Sequence, residues 1–215
     1  MAAHAERSEA LEREWWLRLV MVLQSPRDVF AALRDDSDEA AAARQEPMLA
    51  VIFLAGIAAV LSTSSAARLL DDHQYDGLLI AVWAFIAGAI YGVASYWFAG
   101  AALYFGVRSL GGESSYRRSR HLLGLAAAPL ALSLLVVWPV RLAIYGEDLF
   151  RSGGSDRGFG DRVFEGIDAA VLLWTLALLL IGARIVHGWT WPRSIGTVVF
   201  AAAVLVAVGA VFALL

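Results

Sequence analysis

Three arginines close together are the side chains with the clearest capacity for binding chemistry in this 215-residue chain. Arg117, Arg118 and Arg120 fall within four positions, shortly after the flexible pair Gly111 and Gly112. A cation beside a membrane contributes about 1 kcal/mol against an anionic leaflet. We therefore expect the cluster to contact anionic lipid headgroups or an acidic partner. The alternative is that these arginines only fix the orientation of the chain in a membrane.

Other reactive side chains are not spaced like a catalytic or metal site. His121 and His187 lie at the ends of predicted helices and His73 lies in a predicted loop, so no local group of them resembles a metal site or a catalytic dyad. Cysteine is absent, which excludes disulfides, thiolate metal sites and thiol catalysis. The nucleophile, metalloprotease and phosphate-loop motifs are also missing. We expect no catalytic residue, no metal, no cofactor and no enzymatic activity.

The side chains of this sequence have to be positioned by helices that cross a membrane. Hydrophobic residues make up 60% of the chain and charged residues 17%, and the mean hydropathy is +0.65. A helix needs about 20 mainly apolar residues to cross a bilayer. Five stretches are long enough or nearly so, namely 48–70, 77–107, 121–144, 166–186 and 195–215. The prediction is an all-α, polytopic transmembrane bundle of five spans over residues 48–215.

Residues 1–47 are predicted to be a cytoplasmic segment with two short amphipathic helices, about 9–24 and 26–34, and an acidic linker at 35–46. The helices are too short to span a bilayer, and their indole rings suit the headgroup zone. We expect them to lie at the membrane surface. The alternative, given equal weight, is packing against the cytoplasmic ends of the bundle. The candidate contacts with lipid or a partner are Trp15, Trp16 and Phe30.

Glycines and prolines indicate how the spans pack. Gly88 and Gly92 form a small-xxx-small pair in the second span, which favours close approach of another helix of the same chain over a homo-oligomer face. Pro129 and Pro139 each remove a backbone hydrogen bond from the third span, so kinks are expected there. A kink could act as a hinge or make room for a substrate, but a simple bend is the favoured interpretation.

Aromatic residues lie deep in the second span instead of at its ends. Tyr91, Tyr96 and Trp97 carry polar tips, which either find hydrogen-bond partners inside the bundle or line a cavity. Ordinary core packing is the favoured interpretation. No carboxylate falls at the middle of a predicted span, which argues against transport coupled to an ion gradient.

The distribution of arginine predicts the orientation of the chain. All 17 basic residues are arginines, and twelve of them fall on the side of the membrane that holds the N-terminus. Because positive residues concentrate in cytoplasmic segments, we expect a multi-pass plasma membrane protein with its N-terminus in the cytoplasm and its C-terminus outside. The net charge of −3 implies no general attraction to nucleic acid.

Several short motifs occur in an order that resembles a known family. They are LQSPRDVF at 23–30, Pro47 before the first span, LGGESSY at 110–116, AAAP at 126–129 and GWTWPRS at 188–194. This combination is similar to the prokaryotic branch of the Yip1 domain family of five-span membrane proteins. The resemblance covers nearly the whole chain from about residue 19.

The resemblance implies a topology and little mechanism. Eukaryotic relatives act in vesicle trafficking with small Rab-type GTPases, but their D-L-Y-G-P-type cytosolic segment is absent here. We expect a non-enzymatic scaffold, adaptor or membrane-organising factor whose partners are membrane lipids and an unidentified membrane or cytoplasmic protein. The alternative is a lipid-handling protein or a passive transporter of small solutes, with the kinked third span and the deep aromatic residues forming a pathway.

Overall fold

The computed structural model describes residues 2–72, 76–155 and 159–213, and these residues form helices without any strand. In chain order the α-helices are α1 (Ala2–Met21), α2 (Pro26–Ala32), α3 (Asp38–Leu61), α4 (Gly77–Ser109), α5 (Tyr116–Ala126), α6 (Ala128–Tyr145), α7 (Phe159–His187) and α8 (Trp191–Ala213). Short 3-10 helices occupy Ala66–Arg68 and Gly146–Phe150. The predicted all-α fold is confirmed.

Five segments of the described structure are long and apolar enough to cross a membrane. They are α3, α4, the α5–α6 pair with the 3-10 helix that follows it, α7 and α8. Large apolar side chains on their surfaces, including Phe85, Ile90, Leu173 and Val206, are more than half exposed. A continuous surface of this kind suits lipid and would be unfavourable in water. The chain is a multi-pass helical membrane protein, as the sequence predicts.

The first span begins earlier than predicted. α3 starts at Asp38, inside the stretch 35–46 that the sequence analysis assigns to an acidic linker. The Ser37 hydroxyl accepts a hydrogen bond from the N–H of Ala40 at 3.3 Å, and Asp38 places negative charge at the positive end of the helix dipole. Pro47, expected to mark entry into the span, is buried inside the helix. Most of the predicted linker is therefore part of α3.

The first span also ends earlier than predicted. α3 stops at Leu61, although the apolar pattern continues to residue 70. The Ser62 hydroxyl donates to the carbonyl of Ala58 at 3.0 Å, and the Thr63 hydroxyl donates to the carbonyl of Val60 at 2.7 Å. These side chains compete with the backbone for the last carbonyls of the helix, which favours its end here.

The third span is broken near its first proline. The helix is interrupted at Ala127, two residues before Pro129, so α5 and α6 are separate helices. Pro129 has no N–H with which to continue the hydrogen-bond ladder of α5. α6 runs through Pro139 without an interruption. The two prolines predicted to kink the span therefore differ, and only Pro129 lies beside a break.

Three glycines bring α3 and α4 into close contact. Gly56 of α3 faces Gly88 and Gly92 of α4, and a Cβ added to Gly56 would lie 2.8 Å from the Cα of Gly92 and closer still to the carbonyl oxygen of Gly88. No larger residue fits at this crossing unless the helices separate. Gly88 and Gly92 thus pack within the chain, which is the arrangement that the sequence analysis favours over a homo-oligomer face.

The helices α1 and α2 cover one end of the bundle, which we name the N-terminal end. α1 packs on α3, and α2 packs on α7. The ring of Phe30 lies against Gly182, where an added Cβ would approach a ring carbon to 2.7 Å. A glycine in α7 therefore provides the space in which α2 is seated.

The opposite end, which we name the far end, is closed by two connections that bind each other. The N–H of Leu70 donates to the carbonyl of Phe150 at 2.8 Å. The carboxylate of Asp71 accepts hydrogen bonds from both the hydroxyl and the N–H of Ser152. These hydrogen bonds hold the pKa of Asp71 below its ordinary value.

Candidate functional site

A cavity of about 420 Å³ lies inside the bundle between α3, α4, the α5–α6 break and α7. Its volume falls within the range of small-molecule pockets, about 300–1,000 Å³. Tyr91 of α4 and Leu172 of α7 border it and are each more than half exposed, so the cavity opens sideways between these two helices. Most of its wall is apolar. Its polar lining residues are Ser62, Tyr91, Ser95, Tyr96, Ser133, Asp168 and Thr175.

Two hydroxyl groups in the cavity wall have no hydrogen-bond partner among the described residues. They are the phenol of Tyr96 on α4 and the hydroxyl of Thr175 on α7. The side chain of Tyr96 is completely buried. An unsatisfied buried polar group costs about 1–3 kcal/mol, and such groups are rare in folded proteins. Tyr96 packs in the core as expected and also lines the cavity, and both hydroxyls belong to residues of the cavity wall.

The break in the third span forms one side of the cavity. Ala126, Ala127 and Leu130 line it at the point where α5 ends and α6 begins. The small side chains at the break leave space that a continuous helix with larger residues would fill. The break beside Pro129 thus contributes to the cavity, whereas the sequence analysis favours a simple bend.

A second pocket, of about 300 Å³, adjoins the cavity at the far end of the bundle. Ser62 and Asp168 line both spaces. Here the guanidinium of Arg141 lies 3.3 Å from the carboxylate of Asp168 and 3.9 Å from that of Asp161. The cavity is therefore apolar at its centre and strongly polar towards the far end, and its carboxylate is part of an ion pair.

Arg120 lies beside Tyr96, a residue of the cavity wall. Its guanidinium lies over three aromatic rings, at 3.9 Å from Trp97, 4.9 Å from Tyr116 and 5.2 Å from Tyr96. Gly100 gives the Arg120 side chain room to pass α4. Cation–π contacts of this kind hold the cation in place. Arg120, expected in a surface cluster, instead packs against the aromatic residues that the sequence analysis places deep in the second span.

Arg117 and Arg118 contact the connection between α2 and α3. Arg117 donates to the carboxylate of Asp38 at 2.8 Å and to the carbonyl of Asp36 at 2.6 Å. Arg118 donates to the carbonyl of Arg34 at 3.1 Å. The three arginines of the predicted cluster thus do not form one surface. Their contact with external lipid or an acidic partner stays a prediction, and two of them already contact acidic residues of their own chain.

Arg44 carries the most buried charge among the residues that the structure describes. The guanidinium of Arg44 has no exposed surface and donates to the carbonyl of Asp35 at 2.7 Å, to the carboxylate of Asp36 at 2.8 Å and to Nδ1 of His121 at 2.6 Å. Nε2 of His121 faces the amide oxygen of Gln45 at 3.4 Å. His121 therefore accepts at Nδ1 and carries its proton at Nε2, as a neutral imidazole.

Asp36 joins the buried arginine to the surface ones. Burial alone would raise the pKa of Asp36, but a hydrogen bond from the Ser115 hydroxyl and the charges of Arg118, Arg117 and Arg44 outweigh it and hold the pKa below its ordinary value. We name the group of Asp36, Arg44, Arg117, Ser115 and His121 the polar cluster. It ties α3, α5 and the α2–α3 connection together at the N-terminal end.

The aromatic residues of the N-terminal helices divide into buried and exposed ones. Trp15 is 2% exposed and lies below the guanidinium of Arg18 at 4.7 Å, and Phe30 is fully buried on α7. The proposed contact of these two residues with lipid is therefore corrected, because both pack on the bundle. Trp16 is 44% exposed and remains a candidate. The helices α1 and α2 pack against the bundle, which is the alternative to lying at the membrane surface.

Of the polar cluster, only Arg117 is a candidate contact in the sequence analysis, and Thr175 is not identified there. The sequence pattern predicts a linker at residues 35–46 and places His121 at the end of a helix. Arg44 follows a run of alanines just before a strongly apolar stretch, where a charge is costly unless it is paired. That position is the one signal that could have indicated a buried ion pair.

In the described ranges, no group of three or more His, Cys, Asp or Glu side chains is placed to share a metal ion.

Comparison with known proteins gives the chain its family. No curated protein and no solved structure matches the chain. The family model of the Yip1 domain matches residues 20–213, which is most of the sequence and includes all five spans. The chain belongs to the Yip1 domain family.

Proposed function

We propose that this Yip1 domain protein is a non-enzymatic lipid-binding protein that takes one acyl chain from the bilayer into the cavity between α4 and α7. The cavity has mainly apolar walls and opens sideways from the bundle, which suits a ligand that arrives from lipid. The proposed site is the plasma membrane, with the N-terminal end of the bundle in the cytoplasm, because arginines concentrate on that side.

The observation that carries this proposal is that two residues in the wall of an apolar cavity, Tyr96 and Thr175, each hold a buried hydroxyl without a partner among the described residues. The Tyr96 phenol and the Thr175 hydroxyl would donate to the ester oxygens of a lipid, while its hydrocarbon chain lies on the apolar wall. The ligand is expected to be an ester-linked lipid because a plain hydrocarbon leaves both hydroxyls unsatisfied.

Binding is proposed to be passive. Asp168 is the carboxylate that lines the cavity, and it is paired with Arg141. The guanidinium of Arg141 balances the charge of this carboxylate, so no cation is needed beside it when lipid binds. Lipid would therefore enter and leave according to its affinity, without a coupled ion.

The test measures lipid that stays bound to protein purified in a mild detergent. Native mass spectrometry would count bound phospholipid for the unmodified chain, for Tyr96→Phe with Thr175→Val, and for Ala99→Phe, which fills the cavity wall. Two lost hydrogen bonds of about 1 kcal/mol each correspond to roughly 30-fold weaker binding of an ester lipid. Tyr104→Phe is the matched control, because Tyr104 lies on α4 outside the cavity lining. Unchanged lipid binding in both cavity variants would contradict the proposal.

A scaffold is the second candidate, and one observation favours it. α1 has a second apolar face beside the one that packs on the bundle, and its exposed residues are Trp16, Leu17, Val20 and Met21. A partner that docks there would be lost from the purified complex in Trp16→Ser with Val20→Ser, while the lipid bound in the cavity would stay. The first candidate would be favoured if the cavity variants lose lipid and the variant with Trp16→Ser and Val20→Ser loses no stoichiometric partner.

A further inference from the structure

Three arginines from two parts of the chain, the α2 segment and the end of α7, meet at the N-terminal end of the bundle. Arg27 at the start of α2, Arg34 just after α2 and Arg184 near the end of α7 line a pocket of about 350 Å³. The other lining residues are Ile185, Gly188 and Trp189. This arginine pocket is separate from the polar cluster and from the cavity.

The pocket is built by the seating of α2 on α7. Phe30 packs on Gly182, one turn of α7 away from the pocket. Arg34 donates to the carbonyl of Ile185 from Nε at 3.1 Å and from a terminal nitrogen at 2.6 Å. Arg184 lies 4.8 Å from the ring of Trp191. Two of the three arginines are thus held in place by contacts that leave their charge unbalanced.

Charge balance distinguishes the arginine pocket from the polar cluster. Arg44 and Arg117 each lie within 3.3 Å of the Asp36 carboxylate. Among the described residues that line the arginine pocket, none is a carboxylate. The neighbouring Asp35 is turned to the N–H of Ser37 at 3.0 Å. Three guanidinium groups around one space repel one another unless an anion joins them.

We propose that the arginine pocket binds the phosphate of an anionic phospholipid headgroup. Guanidinium groups match phosphate oxygens with paired hydrogen bonds. The pocket lies where the apolar run of α7 ends. Headgroups are expected at the ends of apolar spans, and the indoles of Trp189 and Trp191 suit that zone. A headgroup there would contact α2 and α7 together. The lipid would therefore hold the N-terminal helices on the bundle.

The experiment compares two lipids with the same acyl chains, phosphatidylglycerol and phosphatidylcholine. The full chain in detergent is titrated with each lipid, and bound lipid is counted by native mass spectrometry. We expect a preference for phosphatidylglycerol that falls roughly fivefold for each arginine removed. The single variant Arg27→Gln and the double variant Arg27→Gln with Arg184→Gln measure this fall. Arg27→Gln serves as the variant that keeps the fold, because its side chain is exposed. Arg108→Gln at the end of α4 is the matched control.

The outcomes separate a lipid site from a general anion site and from the cavity. Loss of the preference in the pocket variants and its retention in Arg108→Gln would support the proposal. Equal binding of the two lipids by the unmodified chain, or an unchanged preference in the double variant, would overturn it. Displacement of phosphatidylglycerol by millimolar inorganic phosphate would indicate a free-phosphate site instead. The Tyr96 and Thr175 variants should keep the headgroup preference, so failure here leaves the cavity proposal standing.

Discussion

Nε of Arg44 donates a hydrogen bond to Nδ1 of His121 at 2.6 Å and so joins α3 to α5 inside the bundle. Both side chains are fully buried. A neutral imidazole cannot balance the charge of a buried guanidinium, so the pair depends on the carboxylate of Asp36 at 2.8 Å. The short connection between α2 and α3 therefore supplies the counter-charge for the core of the N-terminal end.

Replacing Asp36 by Asn should destabilise the N-terminal end strongly. The change leaves the charge of Arg44 buried without an anion, and removal of one partner of a buried pair costs about 3–5 kcal/mol. Denaturant unfolding in detergent, followed by tryptophan fluorescence, measures the loss. Asp28→Asn is the control, since Asp28 lies in the first turn of α2 and is exposed. Equal unfolding midpoints for the two variants would show that Asp36 is not the required counter-charge.

The stabilisation by Asp36 should depend on pH in a defined direction. Its pKa in the folded protein lies below the ordinary value of 3.8, so its contribution is fully present above pH 3.8 and is lost as the pH falls further. The difference in unfolding midpoint between the unmodified chain and Asp36→Asn should stay constant from about pH 7 to pH 5. It should shrink below pH 3.8. A difference that already narrows between pH 7 and pH 5 would assign the effect to another group.

Gly56→Ala should separate α3 from α4. The added methyl group would lie 2.8 Å from the Cα of Gly92, and overpacking of this kind costs about 1–3 kcal/mol. Thermal unfolding in detergent measures the change. Gly166→Ala in α7 is the matched control, because an added Cβ there meets no atom within 4 Å. If both variants unfold at the temperature of the unmodified chain, the close crossing of α3 and α4 is not needed for stability.

The five spans could be predicted because each is an apolar run of nearly bilayer length, which is a local property of the sequence. Their ends depend on side-chain hydrogen bonds that the apolar pattern does not include. The Ser37 cap moves the start of α3 to Asp38, and the hydroxyls of Ser62 and Thr63 bring its end forward to Leu61. The serine and threonine residues of such caps are visible in a sequence. The apolar pattern alone does not show whether their hydrogen bonds end a helix.

The polar cluster could not be predicted from spacing. Arg44 and His121 are 77 residues apart, so no local motif connects them. Their contact follows from the packing of α3 beside α5. The unpartnered hydroxyl of Thr175 is likewise a property of the packed bundle, because a threonine in an apolar helix usually bonds to its own backbone. Tyr96 differs from these residues, because its depth in a predicted span is visible in the sequence.

Trp15 and Trp16 should differ sharply in their effect on the N-terminal helices. Trp15→Ala removes a ring that is buried on the bundle, at a cost of about 3–5 kcal/mol. Trp16→Ala changes an exposed ring and should leave the packing intact. The rate of trypsin cleavage at Arg27 and Arg34, with the protein in detergent, reports how often α1 and α2 detach. Faster cleavage in Trp16→Ala than in Trp15→Ala would contradict the packing of α1 described above.

The chain should be oriented with its N-terminal end in the cytoplasm. Twelve of the 17 arginines lie in segments on that side, and positive residues are retained there during insertion. Because the chain has no cysteine, single replacements report on topology without background. Glu113→Cys lies in the connection before α5, and Gly154→Cys lies in the connection before α7. In intact cells a membrane-impermeant thiol reagent should label Gly154→Cys and spare Glu113→Cys until the cells are lysed. The reverse labelling pattern would invert the orientation and would place the arginine pocket outside.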